Sequence, residues 1–470
     1  MLNTLFLKCA VDAHSRLPWW PAPRLVSLIS QKITRKITPG ASSCAIGKGR
    51  GMIERQRISL ANATCAIRPS HVPADRVVEL DLYRLPGSEQ DFLAAWVAFA
   101  ERAPARVVWT PHNGGHWIAF GGSDIADAYS DHVHFSSCIT IVPRQWGEMY
   151  PLRPTTLDPP EHQPYRRVLT SLLSSTTVRR AEPLVRAFAR RAAMAVRDRG
   201  ACDFVQDFAA GLPFALFAGL AGIGPERMDI LPRYAECPIA EEGTALPEPV
   251  MERFEAFLRA LIAEKRAESG DDIICALLGS QVHDRQIGND EAVEIATALM
   301  TGGLDTVIST LALMIRHLAE DHVLRRRLVA NPALVPTAVR EMVRRFPIMT
   351  KARLVRQDRP MDGVTLKAGD MIVLPPLQGL DPAVFADPLR VDLERPRAPH
   401  ATYGHGVHRC PGAQLAEMEM GIALTEWLAC VPEFALDPLR PPRMQGGVLG
   451  TVVSCHLRWA PVTVENPRDG

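Results

Sequence analysis

The chain has 470 residues and a formal net charge of +1, from 53 basic and 52 acidic side chains. This balance gives no reason to expect nucleic-acid binding, because a phosphate backbone is recognised by clustered positive charge. The ten cysteines are scattered without a C-x-x-C pair, so neither a disulfide framework nor a zinc site is indicated. No linker, repeat or low-complexity tract divides the middle of the chain, which favours one large unit able to bury a deep pocket.

The first fifty or so residues differ in charge from the rest. They carry several lysines and arginines against a single acid, Asp12. A basic, acid-poor leader is typical of transit peptides, but we expect residues 1–68 to be an extension or misassigned start that does not fold with the body. No run of about eighteen uncharged apolar residues occurs in the sequence, so a transmembrane anchor is not expected.

Secondary-structure patterns predict a mainly α chain with small β regions at its two ends. Residues 106–120 alternate like a β-hairpin around Asn113-Gly114. A second turn between short strands is predicted at residues 367–374, around Gly369. Helical periodicity is plausible for residues 161–173, 180–197, 250–267, 291–319, 336–345 and 413–428.

The long apolar helix predicted at residues 291–319 contains Gly302-Gly303, followed by Asp305 and Thr306. Each glycine inside a helix costs about 1 kcal/mol relative to alanine, so a ligand lying against bare backbone would explain the pair. Asp305 and Thr306 then offer an acid and a hydroxyl that could relay protons. On this motif alone, an ordinary helix threonine and a solvated acid are equally good explanations.

Glu341 and Arg344 share one face of the helix predicted at residues 336–345, at positions i and i+3. Exposed pairs of this kind contribute only roughly 0.3–0.5 kcal/mol and are common. The pair gains meaning if Arg395 completes a buried charge cluster. We expect such a cluster to support the cysteine-containing loop that follows.

Residues 403–412 read YGHGVHRCPG and precede the last predicted helix. The glycines at positions 404, 406 and 412 would let the backbone turn tightly and approach a flat macrocycle. A thiolate from Cys410 is a soft ligand suited to haem iron, and His408 and Arg409 could offset negative charge beside it. A lone cysteine is ordinarily a buried structural residue, but the spacing of glycines, histidines and cysteine favours a ligand.

Taken in order, these motifs resemble the cytochrome P450 family of haem-thiolate monooxygenases, and especially its soluble bacterial camphor-hydroxylating branch. Two departures are Tyr403, where the family usually has phenylalanine, and Lys351, which replaces an acidic residue near the haem propionates. The resemblance implies a P450 fold in one large domain at residues 69–470, thiolate-ligated haem b and hydroxylation with O2. It includes the stretches at residues 71–73, 113–119, 158–161 and 302–306.

The resemblance also implies roles for individual residues. Cys410 would be the axial iron ligand, Gly302 and Gly303 would lie against the haem, and Asp305 and Thr306 would form the catalytic proton relay. Two histidines and two arginines are implied to bind the propionates: His162, Arg166, Arg353 and His408. The residues implied to line the substrate pocket are Ile141, Tyr150, Thr155, Ala298, Thr301 and Met349.

The pocket residues suggest the substrate class. Tyr150 matches the tyrosine that in this branch donates a hydrogen bond to the substrate ketone, so a carbonyl or ether oxygen is plausible. Ile141 stands in place of a phenylalanine, Ala298 in place of a leucine, and Thr301 and Met349 in place of valines. One methylene discriminates by only about 1–3 kcal/mol. We therefore expect a small apolar terpenoid or norisoprenoid, not necessarily camphor.

The chain has no flavin or iron–sulfur motif, so the resemblance implies that electrons come from a small [2Fe–2S] ferredoxin and its NAD(P)H-dependent reductase. Arg166, Arg167 and Arg409 would lie near the proximal surface and steer an acidic partner. We expect a cytoplasmic protein without stable membrane association. A peroxide-driven peroxygenase and a non-catalytic haem sensor or ligand carrier remain alternatives, and neither would need Asp305 and Thr306.

Overall fold

The computed structural model describes residues 65–149, 152–223, 248–267, 270–397 and 399–460. Most of the expected N-terminal extension lies outside these residues. The described chain is helix-rich with small sheets, which confirms the predicted fold class. In chain order the α-helices are α1 Ser88–Arg102, α2 Gly122–Ser130, α3 Arg144–Met149, α4 His162–Leu172, α5 Ser175–Arg197, α6 Gly211–Leu220, α7 Glu248–Ala267, α8 Ile273–Leu278, α9 Asn289–Glu320, α10 His322–Ala330, α11 Val335–Arg345 and α12 Ala413–Cys430.

The strands are short and collect in small sheets. In chain order they are β1 Val107–Thr110, β2 His116–Ala119, β3 Phe135–Ser136, β4 Ala201–Asp203, β5 Gln281–Val282, β6 Arg285–Gln286, β7 Lys351–Val355, β8 Arg359–Met361, β9 Val364–Leu366, β10 Met371–Leu374, β11 Ala435–Leu436, β12 Arg443–Gln445, β13 Thr451–Ser454 and β14 His456–Arg458. The largest sheet has the order β1-β2-β10-β7-β3. Strands β2 and β10 are parallel, which joins the early hairpin to the second half of the chain.

The predicted helices are confirmed, with shifts at their ends that follow from capping. Helix α5 begins at Ser175 and not at residue 180, because the Ser174 side chain accepts a hydrogen bond from the Thr177 N–H. Helix α9 begins at Asn289, where the Glu291 carboxylate accepts from the Gly288 N–H at 2.8 Å. Such side-chain caps satisfy amide groups that have no partner inside the helix.

The predicted hairpin is confirmed, but the expected placement of β structure at the two ends of the chain is wrong. Strands β1 and β2 pair in antiparallel register, and the turn places Asn113 and Gly114 at φ angles of 52° and 88°. However, β4, β5 and β6 lie among the helices, and β4 pairs with β14 near the far end of the described chain. Strands of two or three residues are too short to show an alternation of apolar and polar side chains. They form because their backbones pair with a neighbouring strand in the folded chain.

Helix α9 crosses the hydrophobic core and contacts α6, α7, α8, α10 and α12. Its length and apolar composition would allow a membrane span. Much of the helix is nevertheless buried against protein, and Ile295 and Leu311, on either side of its centre, are fully shielded from solvent. Burial of this kind is expected of the central helix of a large helical domain.

A buried charge cluster links helix α11 to the chain before the cysteine loop. The Arg344 guanidinium binds both Glu341 carboxylate oxygens, at 2.7 and 2.9 Å, and Arg395 Nε binds Glu341 Oε1 at 3.0 Å. The remaining Arg344 N–H groups donate to the backbone carbonyls of Gly379, Pro388 and Arg390. The three charged residues predicted to meet are therefore in contact.

Two further hydrogen bonds connect helix α11 and the segment around residue 379 to the cysteine loop. Thr402 Oγ1 donates to the Val343 carbonyl of helix α11 at 3.0 Å, and the His405 ring lies 2.6 Å from Gln378 Oε1. Thr402 and His405 flank the first glycine of the loop. Helix α11, the segment around residue 379 and the loop are thus connected by hydrogen bonds.

Replacing Glu341 with glutamine should destabilise the fold strongly, because two buried guanidinium groups lose their counter-charge. The expected loss is about 3–5 kcal/mol in the free energy of unfolding, measured by urea denaturation. The matched control is Glu182→Gln, which removes an exposed carboxylate paired with Arg186 and should cost less than about 1 kcal/mol. Equal effects of the two substitutions would contradict a stabilising role for the buried cluster.

Candidate active site

The cysteine loop is shaped by contacts with helix α2 and by its own backbone. Gly404 and Gly406 adopt φ angles of 67° and 64°. A Cβ at Gly406 would lie only 3.0 Å from the Ser130 Cα and 3.2 Å from the Tyr129 carbonyl oxygen. The Cys410 N–H donates to the Tyr403 carbonyl at 2.7 Å, which closes the loop. Two glycines are therefore required by backbone geometry, whereas a Cβ at Gly412 would make only ordinary contacts.

The Cys410 thiol lies among positive charges. Burial raises the pKa of this thiol, while the Gly412 N–H and the Arg166 and Arg409 guanidinium groups act in the opposite direction. Arg166 belongs to helix α4, and its Nη2 donates to the Arg409 carbonyl next to the cysteine. Helix α12 begins three residues after Cys410, as predicted. The loop therefore presents a shielded sulfur that a cationic partner would convert to a thiolate.

The centre of helix α9 is open on one side, although the turns before and after it are buried. Ala298, Thr301, Gly302 and Asp305 share one face through i, i+3, i+4 and i+7 spacing, and each retains some exposure. A Cβ added at Gly302 or Gly303 would meet no atom within 4 Å beyond the helix itself. Space for a ligand therefore lies against bare helix backbone.

The acid and hydroxyl next to this space have different partners. Thr306 Oγ1 donates to the Gly302 carbonyl at 2.8 Å. Asp305 has neither a hydrogen bond nor an ion pair with any residue the structure describes, and burial raises the pKa of its carboxyl to about 6. A carboxyl with that pKa exists in both protonation states near neutral pH, as proton transfer requires.

Two histidines meet beside the cysteine loop without hydrogen-bond partners. The rings of His162 and His408 have centroids 4.3 Å apart. Both ring nitrogens of His162, and Nε2 of His408, are buried and unpaired. Burial, followed by neighbouring positive charge, lowers the pKa of His162 to about 4 and that of His408 to about 3. Buried polar atoms normally have partners, so these nitrogens indicate a polar group that binds beside the two rings.

Strand β7 adds two cations to the same region. Lys351 and Arg353 alternate with Ala352 and therefore point to one side of the strand. Burial and the Arg353 charge lower the pKa of Lys351 to about 8. The other lysines in the described chain, Lys265 and Lys367, each bind an aspartate, but Lys351 has no carboxylate within 4 Å. Buried cations without counter-charges fit a ligand that carries carboxylates, as haem does.

Tyr129 is a site residue that the sequence did not reveal. Its ring lies 5.1 Å from the Arg353 guanidinium carbon, and its carbonyl packs against Gly406. It therefore supports both the cation and the cysteine loop. No local pattern around Tyr129 indicates this role, because both partners are distant in sequence and meet it only in the folded chain.

Five of the six predicted pocket residues lie in the described part of the chain. Ile141, Thr155, Ala298, Thr301 and Met349 are each partly exposed, and Met349 forms a β-bridge with Leu449. Their common role as a pocket lining stays a prediction. Tyr150, the predicted donor to the substrate, lies outside the described residues.

Comparison with known proteins identifies the family. Residues 247–444 match the family model described as Cytochrome P450. Nocardicin C N-oxygenase from Nocardia uniformis subsp. tsuyamanensis is 30% identical over 76% of this chain and 92% of its own length. Probable cytochrome P450 127A1 from Sinorhizobium fredii is 28% identical over 83% of this chain and 97% of its own length.

Solved structures give the same assignment. The crystal structure of CYP101J2 has a TM-score of 0.78 and 38% identity, covering 84% of this chain and all of the other. That of cytochrome P450 CYP101C1 has a TM-score of 0.78 and 37% identity over the same shares. These two neighbours support the camphor-hydroxylase-like branch. The chain therefore belongs to the cytochrome P450 family, whose members are monooxygenases that use thiolate-ligated protohaem iron.

Proposed function

We propose that Cys410 is the thiolate ligand of haem b and that the propionates are bound by His162, His408, Arg353 and Lys351. The main support is the set of buried, unpaired ring nitrogens of His162 and His408, which lie near Lys351 and Arg353, two cations that form no ion pair with a carboxylate of the described chain. Guanidinium and ammonium groups bind carboxylates well. Arg166, also predicted as a propionate partner, donates to the Arg409 carbonyl and could serve the propionate through its other N–H groups.

When bound, thiolate-ligated haem supplies oxygen activation for insertion into a C–H bond. Gly302 and Gly303 leave the space in which it can lie against helix α9. The Asp305 carboxyl holds and returns a proton near neutral pH. Thr306 Oγ1 donates to the Gly302 carbonyl and can accept a proton from the other side, so it passes a proton onward when its O–H rotates away from that carbonyl. This acid–hydroxyl pair favours a monooxygenase over a peroxygenase or a haem sensor.

The substrate is proposed to be a small apolar terpenoid or norisoprenoid, held by Ile141, Tyr150, Thr155, Ala298, Thr301 and Met349. The relationship to CYP101J2 and CYP101C1 supports this class. The small side chain of Ala298 beside the open face of helix α9 leaves room for a compact hydrocarbon skeleton. We place the enzyme in the cytoplasm.

Electrons are proposed to come from an acidic [2Fe–2S] ferredoxin with its reductase. Arg167 on helix α4 and Arg409 in the cysteine loop are exposed, and neither is paired with a carboxylate of the described chain. Positive charge on the surface next to the iron ligand would raise the encounter rate with an acidic partner.

The assignment of Cys410 is tested by the carbon monoxide spectrum of the reduced protein. Full-length protein should show the absorption band of thiolate-ligated haem, and Cys410→Ser should lose it because serine cannot supply a thiolate. Cys138→Ser, at an exposed cysteine, is the control and should keep the band. Absence of haem from the full-length protein, or a band retained in Cys410→Ser, would disprove this assignment.

Replacing Thr306 with alanine should uncouple electron use from hydroxylation, because the hydroxyl no longer passes protons. NADH consumption is expected to continue while product formation falls several-fold and hydrogen peroxide rises. Thr310→Ala is the matched control, since Thr310 is buried and makes the same type of bond to the carbonyl four residues earlier. Unchanged coupling in Thr306→Ala would remove this residue from the relay.

Reduction by a ferredoxin should slow as salt rises, because screening weakens steering between exposed charges. The double substitution of Arg167 and Arg409 by glutamine should lower the second-order rate at low salt about tenfold and flatten its salt dependence. The control is Arg102→Gln, at an exposed arginine on helix α1. Stopped-flow kinetics provide the measurement, and rates independent of salt in the unaltered protein would argue against steering.

A further inference from the structure

The hydroxyl of Thr301 forms a hydrogen bond within its own helix. Thr301 Oγ1 donates to the Thr297 carbonyl at 2.7 Å. A threonine hydroxyl has one proton and two acceptor lone pairs, so this bond uses its only donor. The oxygen can still accept a hydrogen bond, and no N–H or O–H among the described residues donates to it.

Thr301 lies on the open face of helix α9. It precedes Gly302, whose added Cβ would meet nothing within 4 Å beyond the helix, and it is one turn from both Ala298 and Asp305. Thr310 shows the contrast. It makes the same bond to a carbonyl four residues earlier, but it is only 7% exposed and lies where the helix is packed.

An acceptor on the open face of helix α9 affects which ligands bind well against it. A ligand that covers this face and removes water must supply a donor to the Thr301 oxygen or leave it unsatisfied. Desolvating an unpaired acceptor is unfavourable, so a hydrocarbon binds less tightly than the apolar area it buries would predict. A ketone offers a second acceptor and no proton.

We propose that Thr301 accepts a hydrogen bond from the substrate, so that the pocket prefers a terpenoid alcohol to the ketone or hydrocarbon with the same skeleton. This rests on the proposed function and names the substrate class more narrowly. A hydroxyl group is also an acceptor, so the same group could bind the Tyr150 phenol if that residue donates to the substrate. Thr301 is in this account a specificity-determining residue.

The test is a spectral titration of the full-length haem protein with borneol, camphor and bornane, which share one carbon skeleton. Dissociation constants come from the Soret shift for the unaltered protein, for Thr301→Val and for the matched control Thr310→Val. Valine has nearly the shape of threonine, so Thr301→Val removes the hydroxyl with little change in volume. The carbon monoxide band of each protein checks that the haem site is intact.

The unaltered protein and Thr310→Val should bind borneol about tenfold more tightly than camphor or bornane, which corresponds to one net hydrogen bond. In Thr301→Val this preference should disappear, with bornane binding as tightly as before or more so. Equal binding of the three ligands by the unaltered protein, or a borneol preference that survives in Thr301→Val, would overturn the proposal. Loss of the thiolate band in the unaltered protein would instead overturn the proposed function itself.

Discussion

The fold is organised around one feature of helix α9, a glycine pair whose side faces no other protein atom. A Cβ at Gly302 or Gly303 would meet nothing within 4 Å beyond the helix, whereas Ile295 and Leu311, on either side of the pair, are fully shielded from solvent. Each glycine inside a helix costs about 1 kcal/mol relative to alanine. Packing of the flanking turns against helices α6, α7, α8, α10 and α12 offsets that cost.

The charges beside the cysteine loop suit an anionic ligand. Arg353 and Lys351 lie close enough that the positive charge of Arg353 lowers the lysine pKa, and the two neighbouring histidines are held neutral by burial. In contrast, both guanidinium groups of the buried cluster, those of Arg344 and Arg395, share the Glu341 carboxylate and also donate to backbone carbonyls. We propose that an anionic cofactor completes the first set, whereas the second set connects helix α11 to the chain before the cysteine loop.

Much of this arrangement could be predicted from local pattern. Helix α9, the hairpin of β1 and β2, and the helix after Cys410 were expected at nearly their observed positions, because periodicity and turn residues indicate them directly. The meeting of Glu341, Arg344 and Arg395 was also expected. The placement of β4 among the helices was not, since three residues without alternation carry no strand signal before β14 pairs with them.

By itself, the sequence determined the helical class, the glycine pair beside an acid and a hydroxyl, and a cysteine loop that resembles that of cytochromes P450. These are properties of neighbouring residues, so spacing along the chain reveals them. Folding was needed to bring Tyr129 against both Arg353 and Gly406, to bring Arg166 to the Arg409 carbonyl, and to leave Thr301 with only an acceptor on the open face of helix α9. Such relations depend on distances between segments far apart in sequence, or on which carbonyl a hydroxyl bonds, and folding sets both.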